Sequence, residues 1–307
     1  MEPESPSPLP PESAVAVCHR HPGAGAHVRC GRCDRYVCPD CRRGAAAGPR
    51  CPRCVRRART AFGGRVFGAP GVTSALICLN LLVYLAELVR PEIVDRFETL
   101  GAGLAGPDGG HYVWQDAYPP GYEPEGVVAG EWYRLLTGAF LHLPPTDGTF
   151  GVLHVVLNMV LLWMVGRAVE AQLGRVRYLA LYLLSALGGS VLVLLLAPDV
   201  PTVGASGAIF GLGAAYYVTA RRLGGDPRGV DRFMAGLLIW LLVSAGLTSW
   251  QGHLGGLLTG GAVTAALAYA PRGPRRSAVQ AAACAGALVL LVLLAAVRAA
   301  ALRDGAV

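Results

Sequence analysis

The chain contains few charged residues and no lysine. Of its 307 residues, 15% are charged and 53% are hydrophobic, and all 27 basic residues are arginine. The apolar residues are gathered into blocks of about twenty, the length that crosses a bilayer as a helix. This composition disfavours a soluble globular protein for most of the chain and predicts a membrane protein.

The chain also lacks a basic N-terminal region that leads into a short apolar stretch. It starts Met-Glu-Pro and stays rich in proline, serine and glutamate through residue 17. We therefore expect no cleavable signal peptide, so that the first hydrophobic span directs membrane targeting. Residues 1–17 are predicted to be disordered.

The formal net charge of +7 would also suit a nucleic-acid-binding protein. However, the arginines lie in the N-terminal fifth of the chain and in short loops between apolar blocks. That placement favours membrane topology and an anionic lipid surface over nucleic acid as the partner.

Seven of the nine cysteines lie in the first 54 residues and, together with His21, form four pairs with metal-ligand spacing. Each pair encloses two residues, and a tetrahedral zinc ion needs two such pairs. We predict a zinc-binding domain at residues 18–55 that resembles a B-box-like or zinc-ribbon module and holds two structural zinc ions. The predicted ligands are Cys18, His21, Cys30, Cys33, Cys38, Cys41, Cys51 and Cys54.

The expected arrangement joins the first pair to the third and the second to the fourth, although His19 and His27 could replace a ligand. A disulfide cluster is the alternative, but a histidine in the first pair and the predicted cytoplasmic location favour metal. So short a segment buries little core, and metal is expected to keep it folded. The domain could recruit a cytoplasmic partner, gate the rest of the protein or stabilise the N-terminus. An arginine- and glycine-rich linker follows at residues 56–71.

We predict an all-α polytopic membrane domain over residues 72–303, with a polar, aromatic-rich loop at the membrane interface between the first two spans. The loops after the second, fourth and sixth spans carry arginines, which predicts a cytoplasmic N-terminus for a multi-pass protein of the plasma membrane. The seven predicted spans are Val72–Val89, Gly151–Gln172, Tyr178–Ala197, Ser206–Ala220, Phe233–Trp250, His253–Ala270 and Ala278–Ala301.

Polar residues recur at one depth of three spans that run in the same direction. These are His154 and Asn158 on the second span, Ser206 on the fourth and His253 on the sixth. Such groups are costly inside a membrane, so their coincidence indicates a common function. Ser206 lies at a helix N-terminus, where unpaired N–H groups favour an oxyanion, and a histidine that takes its proton would make it a nucleophile.

Each of these residues also has a structural interpretation. A serine with small neighbours is commonly a helix cap, and a histidine or asparagine in an apolar helix commonly hydrogen-bonds between helices. The matching depth favours function. Glycine stripes on the fourth and sixth spans would also let these helices approach closely enough for a serine–histidine hydrogen bond. The stripes comprise Gly207, Gly211, Gly252, Gly256 and Gly260.

Five motifs resemble those of the rhomboid intramembrane serine proteases, and the resemblance extends over residues 72–270. It implies a rhomboid-like helical bundle, in which six helices form the core and the seventh span is added at the C-terminus. The motifs are Glu131-Trp132-Tyr133-Arg134, His154-x3-Asn158, Gly166-Arg167-Ala168-Val169-Glu170-Ala171-Gln172-Leu173-Gly174, Gly204-Ala205-Ser206-Gly207 and Gly252-His253-Leu254-Gly255-Gly256.

By this resemblance Ser206 is the nucleophile and His253 the base of a dyad, and His154 and Asn158 help to form the oxyanion hole. Phe210 would stack on His253, and Gly204 would support the site. Outside the site, the resemblance implies that Arg134 braces the first loop and that Glu170 ties the end of the second helix. Two departures are the long spacing between His142 and His154 and the glycine at position 252, where the family more often has alanine.

We therefore expect a serine endopeptidase that cleaves transmembrane segments of membrane-protein substrates near the outer face, with no catalytic cofactor. The fifth and sixth spans contain no acid that could act as a third catalytic residue. One alternative is a rhomboid-like pseudoprotease that binds membrane clients without cleavage, although such relatives typically lack the serine or the histidine. A channel or transporter is a further alternative, but the internal repeats and charged pathway expected of one are not visible.

Overall fold

A computed structural model describes residues 16–31, 33–43, 49–54, 71–115, 117–222, 227–246, 248–271 and 273–305. The chain divides into a small unit that contains the cysteine-rich segment and a larger unit that contains the apolar helices. Most of the predicted disordered N-terminus and linker, residues 1–15 and 55–70, lies outside the described residues.

The small unit is built on a short antiparallel hairpin of strands β1 (Val28–Arg29) and β2 (Tyr36–Val37). A 3-10 turn at Pro39–Cys41 follows β2. The buried apolar side chains of this unit are six cysteines with Ala26 and Val37, and Arg50 is buried as well. Its interior therefore consists mainly of potential metal ligands, as expected of a domain that metal keeps folded.

The larger unit is mostly helical, which confirms the predicted fold class. Helices α1, α2 and α3 span Val72–Val89, Glu92–Phe97 and Arg134–Thr137. Helices α4 (Gly148–Leu161) and α5 (Arg167–Leu173) are joined by a π-helical turn at Leu162–Gly166. The later helices are α6 (Arg175–Leu196), α7 (Ser206–Arg222), α8 (Pro227–Val243), α9 (Trp250–Tyr269) and α10 (Arg276–Arg303).

Four helical stretches in the described part of the chain are long and apolar enough to cross a membrane. They are Val72–Val89, Gly151–Leu173, Arg175–Leu196 and Arg276–Arg303. The other three predicted spans overlap α7, α8 and α9, which have 17, 17 and 20 residues. Each of the seven predicted spans therefore overlaps a helix.

The predicted fifth span was displaced along the sequence. The prediction placed it at Phe233–Trp250, whereas α8 spans Pro227–Val243 and a 3-10 turn follows at Ser244–Gly246. Proline is favoured in the first turn of a helix because its missing N–H is not needed there. The polar start of α8 was missed because the prediction followed only the apolar residues.

The first loop is more ordered than the predicted interfacial loop. Besides α2 and α3 it contains a three-stranded antiparallel sheet in the order β4-β3-β5. The strands are β3 (Gly103–Ala105), β4 (His111–Val113) and β5 (Glu123–Glu125). Strands of three residues separated by glycine and proline give little periodic signal in the sequence.

Arg134 holds this loop together, as the motif implied. Its Nε donates to Glu131 at 2.6 Å, and its Nη1 donates to the backbone carbonyl of Asp95 at 2.6 Å. Burial acts to raise the pKa of Glu131, but the Gly126 N–H and the Arg134 guanidinium outweigh it and lower that pKa. Glu131 therefore stays ionised and paired with the buried arginine.

Glu170 joins the second membrane span to the first. Its carboxylate accepts from the backbone N–H of Val72 and of Thr73, both at 2.9 Å, and from the Thr73 hydroxyl at 2.7 Å. These N–H groups begin α1 and have no partner within the helix, and a carboxylate there also suits the helix dipole. Glu170 thus caps α1 from a neighbouring span.

Glycines bring α6, α7 and α9 together at the centre of the unit. A Cβ on Gly189 of α6 would lie 2.7 Å from the carbonyl oxygen of Gly252, and a Cβ on Gly207 of α7 would lie 2.9 Å from the same atom. The backbones are thus in direct contact, since an added methyl group at either site would not fit. This close packing sets the distance between side chains at the ends of α7 and α9.

Candidate active site

Ser206 and His253 meet where α7 and α9 begin. Ser206 is the first residue of α7, and His253 lies in the first turn of α9, whose N-terminus is capped by Ser249. The distance from His253 Nε2 to Ser206 Oγ is 2.8 Å, which is that of a hydrogen bond. In this arrangement the hydroxyl can donate its proton directly to the imidazole.

The imidazole of His253 is held by packing. Phe210 stacks on it with ring centroids 4.3 Å apart and an angle of 13° between the planes, and the histidine is only 2% exposed. Among the described residues His253 Nδ1 has no hydrogen-bond partner. The ring orientation therefore comes from the stack and from close packing, without an orienting acid.

His154 faces Ser206 across Gly204. A Cβ on Gly204 would lie 2.9 Å from His154 Nε2 and 3.5 Å from Ser206 Oγ, and the φ angle of Gly204 is +129°. The backbone N–H of Leu143 donates to His154 Nδ1 at 3.2 Å, so a neutral imidazole carries its proton on Nε2. Glycine at 204 thus keeps open a space between a ring N–H donor and the serine oxygen.

Asn158 lies one turn after His154 and is 4% exposed. Its Nδ2 donates to the His154 backbone carbonyl at 2.8 Å. An amide nitrogen carries two hydrogens, so one donor remains for another acceptor. Asn158 and His154 both line a cavity that contains Ser206 and His253.

Two cavities open on these residues. One of about 590 Å³ contains Ser206, His154 and the Ser249–Gly252 segment, with many polar and small lining residues. The other, of about 490 Å³, lies between α4, α7 and α8, and its lining is largely apolar. Ser206 thus borders a more polar cavity and a largely apolar cavity.

The structure adds two buried residues that the sequence interpretation did not assign to the site. The Glu87 carboxylate accepts from the backbone N–H of His142, with both oxygens 3.3 Å from the nitrogen. The His142 ring lies 5.5 Å from the His154 ring, measured between centroids. An acid inside an otherwise apolar span was the signal that could have identified Glu87.

The small unit contains two groups of potential metal ligands. Within each group all ligand atoms lie within 4.8 Å of one another, and the structure joins the first pair to the third and the second to the fourth. The groups are Cys18, His21, Cys38 and Cys41, and Cys30, Cys33, Cys51 and Cys54. His19 and His27 belong to neither group, and none of the nine cysteines, all of which lie in the described part of the chain, forms a disulfide bond.

The separations within the groups fit a tetrahedral ion. Sulfur atoms about 2.3 Å from a tetrahedral zinc lie about 3.8 Å from each other. The Cys33 and Cys51 sulfurs are 3.8 Å apart, and His21 Nδ1 is 3.4 Å from the Cys38 sulfur. Both donor sets, one of three cysteines with a histidine and one of four cysteines, can therefore hold metal ions. All four positions of each ion would be filled by protein.

Comparison with known proteins finds similarity over part of the helical region. Residues 129–270 match the Rhomboid domain. Rhomboid protease GluP of Bacillus subtilis is 35% identical over 148 residues, which cover 46% of this chain and 27% of that protein. Putative rhomboid protease YdcA of the same organism is 37% identical over 105 residues, which cover 34% of this chain and 48% of that protein. Rhomboid-like protease 3 of Toxoplasma gondii is 32% identical over 135 residues, which cover 42% of this chain and 49% of that protein.

The chain spans between about a quarter and a half of the length of these relatives. The matched region contains Ser206, His253, His154 and Asn158. Together with the apolar helices, the match indicates a multi-pass membrane protein. Residues 129–270 therefore match the rhomboid domain, and the relatives that share this region include named rhomboid proteases.

Proposed function

We propose that this chain is an intramembrane serine endopeptidase that uses Ser206 and His253 as a catalytic dyad. The observation that carries the proposal is the 2.8 Å contact between His253 Nε2 and Ser206 Oγ. Ser206 lines both cavities, and His253 lines the largely apolar one. A serine hydroxyl becomes an effective nucleophile when an adjacent base can take its proton.

In the proposed reaction Ser206 Oγ bonds to the scissile carbonyl carbon while its proton moves to His253 Nε2. His253 then gives this proton to the amide nitrogen as the C–N bond breaks, and the amine product leaves an acyl-enzyme. A water molecule loses a proton to His253 and attacks the ester carbonyl, and the acid product departs as Ser206 regains its proton.

The space beside Gly204 is the proposed oxyanion site. His154 Nε2 lies at that space, and Ser206 stands at the N-terminus of α7, where backbone N–H groups have no helical acceptor. Asn158 has one amide hydrogen left to contribute. These donors would stabilise the negative charge that develops on the carbonyl oxygen.

Transmembrane segments of membrane proteins are the proposed substrates. The largely apolar cavity between α4, α7 and α8 suits apolar side chains, and it reaches both Ser206 and His253. The more polar cavity on the other side of Ser206 would admit the hydrolytic water. A substrate entering along α8 would have to unwind locally to expose its carbonyl, because a helical backbone keeps that group hydrogen-bonded.

The test is cleavage of a single-span reporter protein in liposomes by the wild type, Ser206→Ala and His253→Ala. We expect product from the wild type alone, and Ser206 labelling by a fluorophosphonate probe that Ser206→Ala abolishes. Cleavage retained by either variant would refute the dyad. Binding of the reporter without cleavage or probe labelling by the wild type would instead support a client-binding pseudoprotease.

We further propose that the two groups of the small unit hold structural zinc ions. A set of three cysteines with a histidine and a set of four cysteines both suit zinc, and they leave no open position for catalysis. The arginine distribution supports a cytoplasmic N-terminus in a plasma-membrane protein. A cytoplasmic protein partner of the zinc domain stays a prediction of the sequence.

A further inference from the structure

The cavity of about 590 Å³ beside Ser206 has a single formally charged side chain among its described lining residues, that of Glu98. The rest of the lining is apolar, small or neutral and polar. A peptide that occupies this cavity therefore meets one carboxyl group, and no arginine lines the cavity to neutralise it.

The backbone fixes Glu98 relative to the nucleophile. Its own N–H donates to the carbonyl of Val94 at 2.8 Å, which ends α2. The next residue, Thr99, pairs with Thr202 through two backbone hydrogen bonds of 2.9 Å. Because Thr202 lies four residues before Ser206, these hydrogen bonds connect the segment that contains Glu98 to the segment that contains the nucleophile.

Among the described residues, no hydrogen bond or ion pair ends on the Glu98 carboxyl group. Arg134 uses its Nε on Glu131, and its Nη1 reaches only the backbone carbonyls of Asp95 and Glu98. The Nε and Nη1 groups of Arg134 are thus used to brace the loop.

Both acidic and basic groups lie near Glu98. Burial raises its pKa to about 7, and the nearby carboxylates of Asp95 and Glu125 act in the same direction, whereas Arg134 and His111 act to lower it. His111 is itself paired with Glu125 at 2.9 Å. A cation that reaches a partly buried, unpaired carboxylate stabilises the ionised form of that carboxylate.

We propose that Glu98 makes this cavity selective for substrates that carry a lysine or arginine side chain within a few residues of the scissile bond. The proposal rests on the proposed proteolysis at Ser206. The carboxylate would accept a charge-assisted hydrogen bond from the substrate cation.

The experiment compares three single-span reporters that differ at one position near the cut, with lysine, glutamine or glutamate there. The full-length protein is reconstituted in phosphatidylcholine liposomes, whose zero net charge removes surface attraction. We expect kcat/KM to be about tenfold higher for lysine than for glutamine, and lowest for glutamate. Each position within four residues of the cut is examined in turn.

Glu98→Gln should bring the lysine-to-glutamine ratio close to one, Glu98→Asp should keep part of it, and Glu98→Arg should favour the glutamate reporter. A ratio does not depend on how much of a variant is folded. Glu92→Gln is the matched control, because Glu92 is an exposed residue of α2 that pairs with Arg90 at 3.5 Å and does not line the cavity. It should keep the full preference.

Binding of the same reporters to Ser206→Ala separates the two proposals. If the wild type cleaves nothing while Ser206→Ala binds the lysine reporter tightest, the protease proposal fails and the Glu98 proposal stands. Equal kcat/KM and equal binding for all three reporters at every position would overturn the role of Glu98. A lysine preference that survives Glu98→Gln would overturn it as well.

Discussion

Gly256 of α9 has no room for a side chain, and we predict that Gly256→Ala inactivates the protein by separating two helices. An added Cβ would overlap the carbonyl oxygen of Gly207 and would lie 2.5 Å from its carbonyl carbon and 3.0 Å from its Cα. These are backbone atoms of α7, which cannot rotate away as a flexible side chain does. Relief requires α7 and α9 to move apart.

The size of this movement follows from the contact distances. Carbon atoms make optimal contact at about 3.5 Å, so the helices must separate by about 1 Å at this point. Ser206 and His253 lie within one turn of the contact, and their 2.8 Å hydrogen bond would stretch beyond the limit for such a bond. A displacement of about 1 Å between reacting groups lowers the rate on the order of 100-fold. Overpacking should also cost about 1–3 kcal/mol of stability.

The assay measures reporter cleavage and the rate of fluorophosphonate labelling, with thermal unfolding in detergent as the measure of stability. Gly261→Ala is the matched control on the same helix, because its Cβ would lie 3.6 Å from the Cβ of Ala214, an ordinary contact. It should retain activity within about threefold. If Gly256→Ala also cleaves within about threefold of the wild type, the backbone contact does not set the dyad distance and the reasoning is refuted.

Three further predictions concern other parts of the molecule. Glu170→Ala leaves the N–H groups of Val72 and Thr73 uncapped. We expect this variant to lower the free energy of unfolding by about 1–2 kcal/mol, measured as a fall in melting temperature. An unchanged Tm would show that the cap is dispensable. Elemental analysis should find two zinc ions per chain, and Cys38→Ser should reduce the content to one, whereas full retention would exclude Cys38 as a ligand. The preference for a lysine reporter should grow from pH 6 to pH 8. The pKa of Glu98 is raised to about 7, so that the carboxyl group is mostly protonated and neutral at the lower pH. A preference independent of pH would argue against ionised Glu98 as its source.

The main misses of the sequence interpretation lie in the first loop and the segment that follows it. The long spacing between His142 and His154 was noted, but the spacing does not reveal that the chain bends back so that the two rings lie 5.5 Å apart. Nor does it show that Glu87, from another helix, binds the backbone at His142. The three-stranded sheet and the approach of Glu98 to the cavity were missed for the same reason, since both depend on contacts between residues far apart in sequence.

Local chemistry by itself determined the helical spans, the four metal-ligand pairs and the polar residues that form the candidate site. Apolar blocks of bilayer length must form helices because lipid offers no partner for backbone polar groups, and a polar residue in such a block is costly enough to stand out. The 2.8 Å contact of Ser206 with His253 was decided only by the tertiary structure, through the backbone contact of α7 with α9. The glycine stripes indicated that this contact was possible, but the rotation and register of the two helices, which set the distance, come from packing over the whole unit.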